Sequence, residues 1–212
     1  MLISCCSESR QTRKIQLASF AWLFRIKVKL YRARALITPG HLSIARTSRL
    51  LSGSKIIWRH GRVDLGENIK LRHGVVIDAQ RGSVEIGDNV SLNEYTIVLG
   101  RGGVKIGNDV RIAAQVLFAS FDHNFDDVSQ PIRKQGITSK PVIIEDDVWI
   151  GAGAKILGGS HVAKGCVIGA NAVVKGDTVP YGVYVGIPAR LLKLRGQPES
   201  AKAPIVPLPK RR

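Results

Sequence analysis

Large rings are scarce in this chain, with aromatic residues making up 6% of its 212 residues. Whatever core it builds is therefore aliphatic. Cysteines number three, and two of them, Cys5 and Cys6, are adjacent, so no disulfide framework can be drawn and a reducing compartment is expected. No run of eighteen apolar residues occurs, which excludes a membrane-spanning helix. The phosphate-cradling G-x-x-x-x-G-K-[ST] run is also missing, which argues against nucleotide hydrolysis. Acids are few, 16 against 32 lysines and arginines, for a formal net charge of +16.

That charge is unevenly placed. Residues 1–62 hold 13 of the bases and one acid, Glu8; residues 63–195 are close to balanced, with 15 against 14; residues 196–212 hold 4 against 1. Residues 13–34 read as a basic helix with Ile15, Trp22, Phe24 and Leu30 among its apolar residues. Such a helix can lie on an anionic membrane surface, or its apolar stripe can cap the open end of a repeat domain. Nucleic acid is not expected as a partner, since no reader motif accompanies the charge. Pro39-Gly40 marks a break after this helix. Pro198, Pro204, Pro207 and Pro209 mark 196–212 as a Pro-rich tail expected to be disordered.

What the chain has in quantity is one six-residue phrase, an aliphatic residue followed four places on by a small or β-branched one. It begins at Leu65 and Leu71, at Ile86 and Leu92, at Ile106 and Ile112, and then without a break from Ile144 through Val174. Gly often follows the aliphatic residue, as at Gly66, Gly87, Gly107, Gly151 and Gly169. A period of six suits neither a 3.6-residue helix nor an alternating strand. It suits short strands joined at corners, with three hexads per coil and successive coils paired as parallel strands roughly 4.8 Å apart. No single coil buries its own apolar side, so the coils must stack into a solenoid with a continuous aliphatic column. The expected division is a basic N-terminal helix and lead-in over 1–62, the repeat domain over 63–195, and the tail over 196–212. Residues 119–143 break the phrase and are read as a loop, and a loop of that length in a repeat domain is usually functional or disordered.

This phrase, from about Leu65 to Arg195, closely resembles the hexapeptide-repeat acyltransferases, of the sugar O-acetyltransferase type. The resemblance implies an all-β fold, a single-stranded left-handed parallel β-helix with an N-terminal helical segment. It implies acetyl-CoA as donor, no metal, and a homotrimer in which the loop of one subunit reaches its neighbour. In that family a histidine projecting from the loop, with Lys-Pro and then Trp-Ile-Gly downstream, is the catalytic base. His123 matches, followed by Lys140-Pro141 and Trp149-Ile150-Gly151. Acyl transfer from a thioester to a hydroxyl requires removing a proton from a group that barely ionises at neutral pH, and a neutral imidazole is suited to it. Asp122, Asp126 or Asp127 can orient the ring. By the same resemblance Asn93 contacts the acceptor sugar, against the reading of a corner residue held by local hydrogen bonds. The backbone N–H of Ala152 matches the oxyanion donor, a role indifferent to side chain. Trp149 is a wall of the acceptor pocket or a cover for a prism edge. The resemblance places the pantetheine arm along Ala152, Ala170 and Lys175, with Arg190 and Lys193 toward its phosphates. The chain has Lys175-Gly176 where a common form of the pattern has Thr-Lys.

The function implied is O-acetylation of a sugar, in surface or exported polysaccharide assembly, by a cytoplasmic enzyme that can sit peripherally on the inner face of the membrane. Serine, an amino sugar or an antibiotic are alternative acceptors. A γ-class carbonic anhydrase needs three histidines around zinc, and His123 has no neighbouring histidine. A non-catalytic solenoid is the remaining alternative, opposed by the loop.

Overall fold

A computed structural model of the protein describes residues 26–196. The repeats wind into a parallel β-solenoid of about six coils whose strands form three sheets. The first sheet runs through His41–Ile44, Arg62–Leu65, Ser83–Ile86, Val104–Ile106, Val142–Ile144 and His161–Val162. The second runs from Arg49–Leu50 to Val167–Ile168 and ends in an antiparallel hairpin, Gly182–Val185 with Arg190–Leu194. The third runs from Lys55–Ile57 through Leu117–Ala119 to Val173–Val174. Like residues stack on like: Leu65 pairs with Ile86, Ile86 with Ile106, and Ile106 with Ile144. The aliphatic and small places of the phrase point inward and are buried, with Phe118 the largest of the fully buried side chains.

Glycine follows the aliphatic residue for a specific reason. At the first corner the backbone N–H of Glu67 donates to Asp88 Oδ1 at 2.7 Å, that of Asp88 to Asn108 Oδ1 at 2.8 Å, and that of Asn108 to Asp146 Oδ1 at 2.6 Å. A Cβ on Gly66 would lie 2.4 Å from Asp88 Oδ1, so the ladder that satisfies the corner amides requires its absence. The next corner residue is left-handed, and Asn68, Asn89, Asp109 and Asp147 fill it with φ between 55° and 58°, as Asn and Asp tolerate best among side-chain-bearing residues.

Coiling starts at His41, one coil before the expected boundary at residue 63. His41–Ile44 pairs in parallel with Arg62–Leu65, and Lys55–Ile57 with Val76–Asp78. Residues 41–62 do carry the phrase, as Ile44 with Ser48 and Leu50 with Ser54. Both serines are buried, and each hydroxyl donates to a carbonyl, Ser48 to Gly66 at 3.3 Å and Ser54 to Leu51 at 2.7 Å. A hydroxyl so partnered fills a small inward place at little cost. The long loop leaves the prism later and returns earlier than 119–143, because Leu117–Ala119 and Val142–Ile144 are regular strands and Ser120 is buried.

Residues 26–35 are helical and close the starting end of the column. Val28 is buried in the core cluster, and Tyr31 and Ala35 pack against it. Tyr31 meets Trp58 edge to face at 5.8 Å, and its hydroxyl accepts the Ile56 N–H at 3.1 Å. Lys27 reaches the first coil, donating to Leu51 O, Ser54 O and Ser54 Oγ at 2.8, 2.9 and 2.8 Å, and burial lowers its pKa. This part of the segment caps the solenoid. Ile15, Trp22 and Phe24 lie outside the described residues, as does the tail beyond Gly196.

Candidate active site

The loop leaves the corner between the third and first sheets and is an ordered hairpin. Phe121–His123 pairs antiparallel with Ile137–Ser139, setting Asp122 opposite Thr138 and His123 opposite Ile137. Beyond it, Asn124 accepts from Thr138 Oγ1 at 2.6 Å and donates to Gln135 O at 3.0 Å. Asp127 ties the tip. Its carboxylate accepts from Ser129 Oγ at 2.6 Å, Ser129 N at 2.9 Å and Gln130 Nε2 at 2.6 Å. These bonds, Ser129's hydroxyl first, hold its pKa below the usual carboxylate value. Asp127 is thus committed to the loop itself.

Where the hairpin meets the prism there is a cleft of about 270 Å³ lined by Phe121 to Asp126, Thr138, Lys140, Gly158 and Lys175. It brings together four of the expected site residues, His123, Asp122, Asp126 and Lys175. His123 and both acids are exposed. Successive residues of a strand face opposite sides, so Asp122 and the neighbouring His123 do not share a face. Among the described residues no hydrogen bond joins His123 to Asp122 or Asp126.

The other expected residues are on a different edge of the prism. Asn93 follows the second-sheet strand Ser91–Leu92 and precedes the third-sheet strand Ile97–Leu99, and Ala152 lies between Trp149–Ile150 and Lys155–Leu157. Ala170 stacks one coil further along the same edge, where Asn171 N donates to Ala152 O at 2.8 Å. The N–H of exposed Ala152 has no acceptor among the described residues. Asn93 Nδ2 donates to Ile112 O at 2.9 Å, the local bond of a corner residue, which leaves its Oδ1 free. Trp149 stands outward on the second sheet, 57% exposed, between Arg111 and Val167. Arg190 and Lys193 are on the hairpin that ends this sheet. One chain therefore gathers the imidazole and Lys175 at one corner, and Asn93, Ala152 and Ala170 at another.

Ser120 was not singled out by the sequence reading, yet it anchors the hairpin. Its hydroxyl donates to Leu99 O at 2.7 Å and accepts the Gly102 N–H at 2.8 Å, and its carbonyl accepts the Lys140 N–H at 2.9 Å, tying the two ends of the loop together. The corresponding place in other coils holds Trp58, Ala79, Gly100 or Gly158, and a lone hydroxyl in that series is the available signal. Ser120→Ala strands the Gly102 N–H, so unfolding by urea should show a loss of about 1–3 kcal/mol. Turnover should fall with it.

Among the described residues no three His, Cys, Asp or Glu side chains come together as a metal site. The family model "Bacterial transferase hexapeptide (six repeats)" matches residues 141–176. A probable acetyltransferase of Mycobacterium tuberculosis is 41% identical over 106 residues, 47% of this chain but only 35% of that protein's length. The "Putative lipopolysaccharide biosynthesis O-acetyl transferase WbbJ" of Escherichia coli is 31% identical over 70% of this chain and 80% of its own. Among solved structures, the N-acyltransferase AntD of Bacillus cereus, in complex with dTDP-4-amino-4,6-dideoxyglucose and coenzyme A, superimposes with a TM-score of 0.65 at 20% identity, over 81% of this chain and 90% of AntD. A hexapeptide-repeat acetyltransferase of Vibrio cholerae complexed with acetyl coenzyme A gives 0.50 at 27% identity, over 68% and 72%.

Proposed function

The chain belongs to the bacterial hexapeptide-repeat acyltransferases, and from that premise we propose that it transfers an acetyl group from acetyl-CoA to a hydroxyl of a sugar in surface or exported polysaccharide assembly. The observation that carries this reading is His123, presented by an ordered hairpin at the mouth of a cleft that also holds Lys175. The imidazole takes the proton of the acceptor hydroxyl as its oxygen attacks the thioester carbonyl. The resulting oxyanion is held by the Ala152 N–H, and collapse breaks the C–S bond while imidazolium returns the proton to the departing thiolate. Lys175, Ala170, Arg190 and Lys193 are assigned to the coenzyme, and Asn93 and Trp149 to the sugar. Asp126, the cleft acid that is not the strand neighbour of His123, is assigned to orient the ring once substrate is bound.

His123 and Ala152 occupy different corners, so a complete site needs a second copy. A homotrimer supplies it, and the third sheet favours self-association: its outward side carries Val76, Ile97 and Leu117 in one row, between Lys55 and Lys155, and Ile57, Leu99 and Leu157 in another that also holds Asp78; Ile57 and Ile97 are 42% and 38% exposed. An apolar row of this kind is a natural contact between subunits. Kinship with WbbJ favours a polysaccharide acceptor, and the location that goes with this reading is the cytoplasm. The test is thiol release from acetyl-CoA by the purified full chain across sugars, sugar nucleotides, serine and amino sugars. Release with hydroxyl sugars supports the reading; release only with an amine acceptor moves it to N-acetylation.

A further inference from the structure

The helix that caps the solenoid has a second face. Its buried stripe, Val28, Tyr31 and Ala35, is matched on the opposite side by Leu30 and Ala33, and the turn that follows continues that side to Ile37 at three- and four-residue spacing. Leu30 is 59% exposed, Leu36 87% and Ile37 84%. This face is held rigidly. Leu36 N donates to Ala33 O and Ile37 N to Arg34 O, both at 3.2 Å, and Pro39 O accepts the His60 N–H at 2.9 Å. A Cβ on Gly40, at φ 115°, would lie 2.3 Å from Trp58 O, so the turn is seated against the first coil.

The same end is strongly cationic. From Ile26 to Arg62 there are nine lysines and arginines and no acid. Lys29, Arg46, Arg49 and Arg59 are exposed, and among the described residues none of the four is in an ion pair. A second copy of this end would bring charge of the same sign. So would residues 1–25, which hold four bases and one acid. The complementary occupant is anionic and apolar at once.

We propose that the capped end of the solenoid docks on an anionic lipid bilayer, with Leu30, Leu36 and Ile37 entering the headgroup layer and the surrounding cations meeting lipid phosphates. Nucleic acid offers the charge without an apolar phase for three large aliphatics. Docking by an end leaves the prism sides free, so it is independent of the acceptor chemistry assigned above. Among the described residues no helix is long and apolar enough to cross a membrane, consistent with contact at the surface.

The test is flotation of the full chain with phosphatidylcholine vesicles, with and without phosphatidylglycerol. Binding is expected only with phosphatidylglycerol, and should be largely lost at about 0.5 M salt. Leu30→Asp/Leu36→Asp/Ile37→Asp should lower partitioning at least about tenfold, and each of Lys29→Gln and Arg59→Gln about fivefold, with melting temperature unchanged because these side chains are exposed. Ile37→Asp alone gives the same direction should the triple variant fold poorly. Equal binding to neutral vesicles, undiminished binding of the triple variant, or capture of single-stranded RNA in place of vesicles would each overturn the proposal.

Discussion

Replacing His123 by Ala should lower turnover about 10²–10⁴-fold, the usual contribution of a general base, while leaving the melting temperature where it was. The two halves of that expectation rest on different observations. The side chain is exposed on the outer part of a hairpin, so nothing in the aliphatic column depends on it. The chemistry does depend on it, since among the described residues the cleft holds no second imidazole, and a carboxylate is a poorer base for a sugar hydroxyl. Coenzyme affinity should change little, because the assigned pantetheine contacts are backbone groups of the prism. A variant with near-normal turnover on the cognate acceptor would remove His123 from the mechanism.

The architecture was legible because burial imposes the same demand at every coil. Inward places need aliphatic or small residues, and left-handed corner places favour Gly, Asn or Asp, with Tyr95 and Gln115 among the exceptions, so both demands leave a trace at fixed spacing. The trace fades in the first coil, where Ser48 and Ser54 take the small places and look like loop residues until their hydroxyls are seen bonded to carbonyls. Helical residues 26–35 illustrate a different limit. Hydropathy marks Leu30 as apolar, but only packing decides that Val28 and Tyr31 face the column while Leu30 faces out.

The site was legible residue by residue, and less so as an arrangement. His123 stands out because an acidic, His-bearing loop interrupts a strict repeat. Hexads do not announce which side of the prism they occupy, however. The spacing from Ile56 to Val63, and from Ile77 to Val84, puts extra residues at the corner between the third and first sheets, where the hairpin also emerges. Counting sixes along the chain therefore blurs which corners line up. Only strand pairing separates Asn93, Ala152 and Ala170 on one edge from His123 and Lys175 on the other.

That separation gives the prediction with the largest recoverable effect. Ala154 N donates to Gly151 O at 3.3 Å and Gly153 has φ 72°, the pattern of a type II turn with Ala152 at its second place, where proline is favoured. Ala152→Pro should therefore delete the N–H without deforming the corner, and turnover should drop about 10²–10³-fold, as when one oxyanion donor is removed. His123→Ala and Ala152→Pro are each expected to be nearly inactive alone. Coassembled in equal amounts from denatured chains, they should regain about a quarter of wild-type activity, since in a ring of head-to-tail contacts one contact in four joins an intact loop to an intact edge. A site contained within one chain would regain nothing, because every chain in the mixture carries a defect. Recovery in the coassembled sample, with each variant refolded alone staying inactive at the same oligomer size by light scattering, would tie the catalytic unit to the contact between subunits.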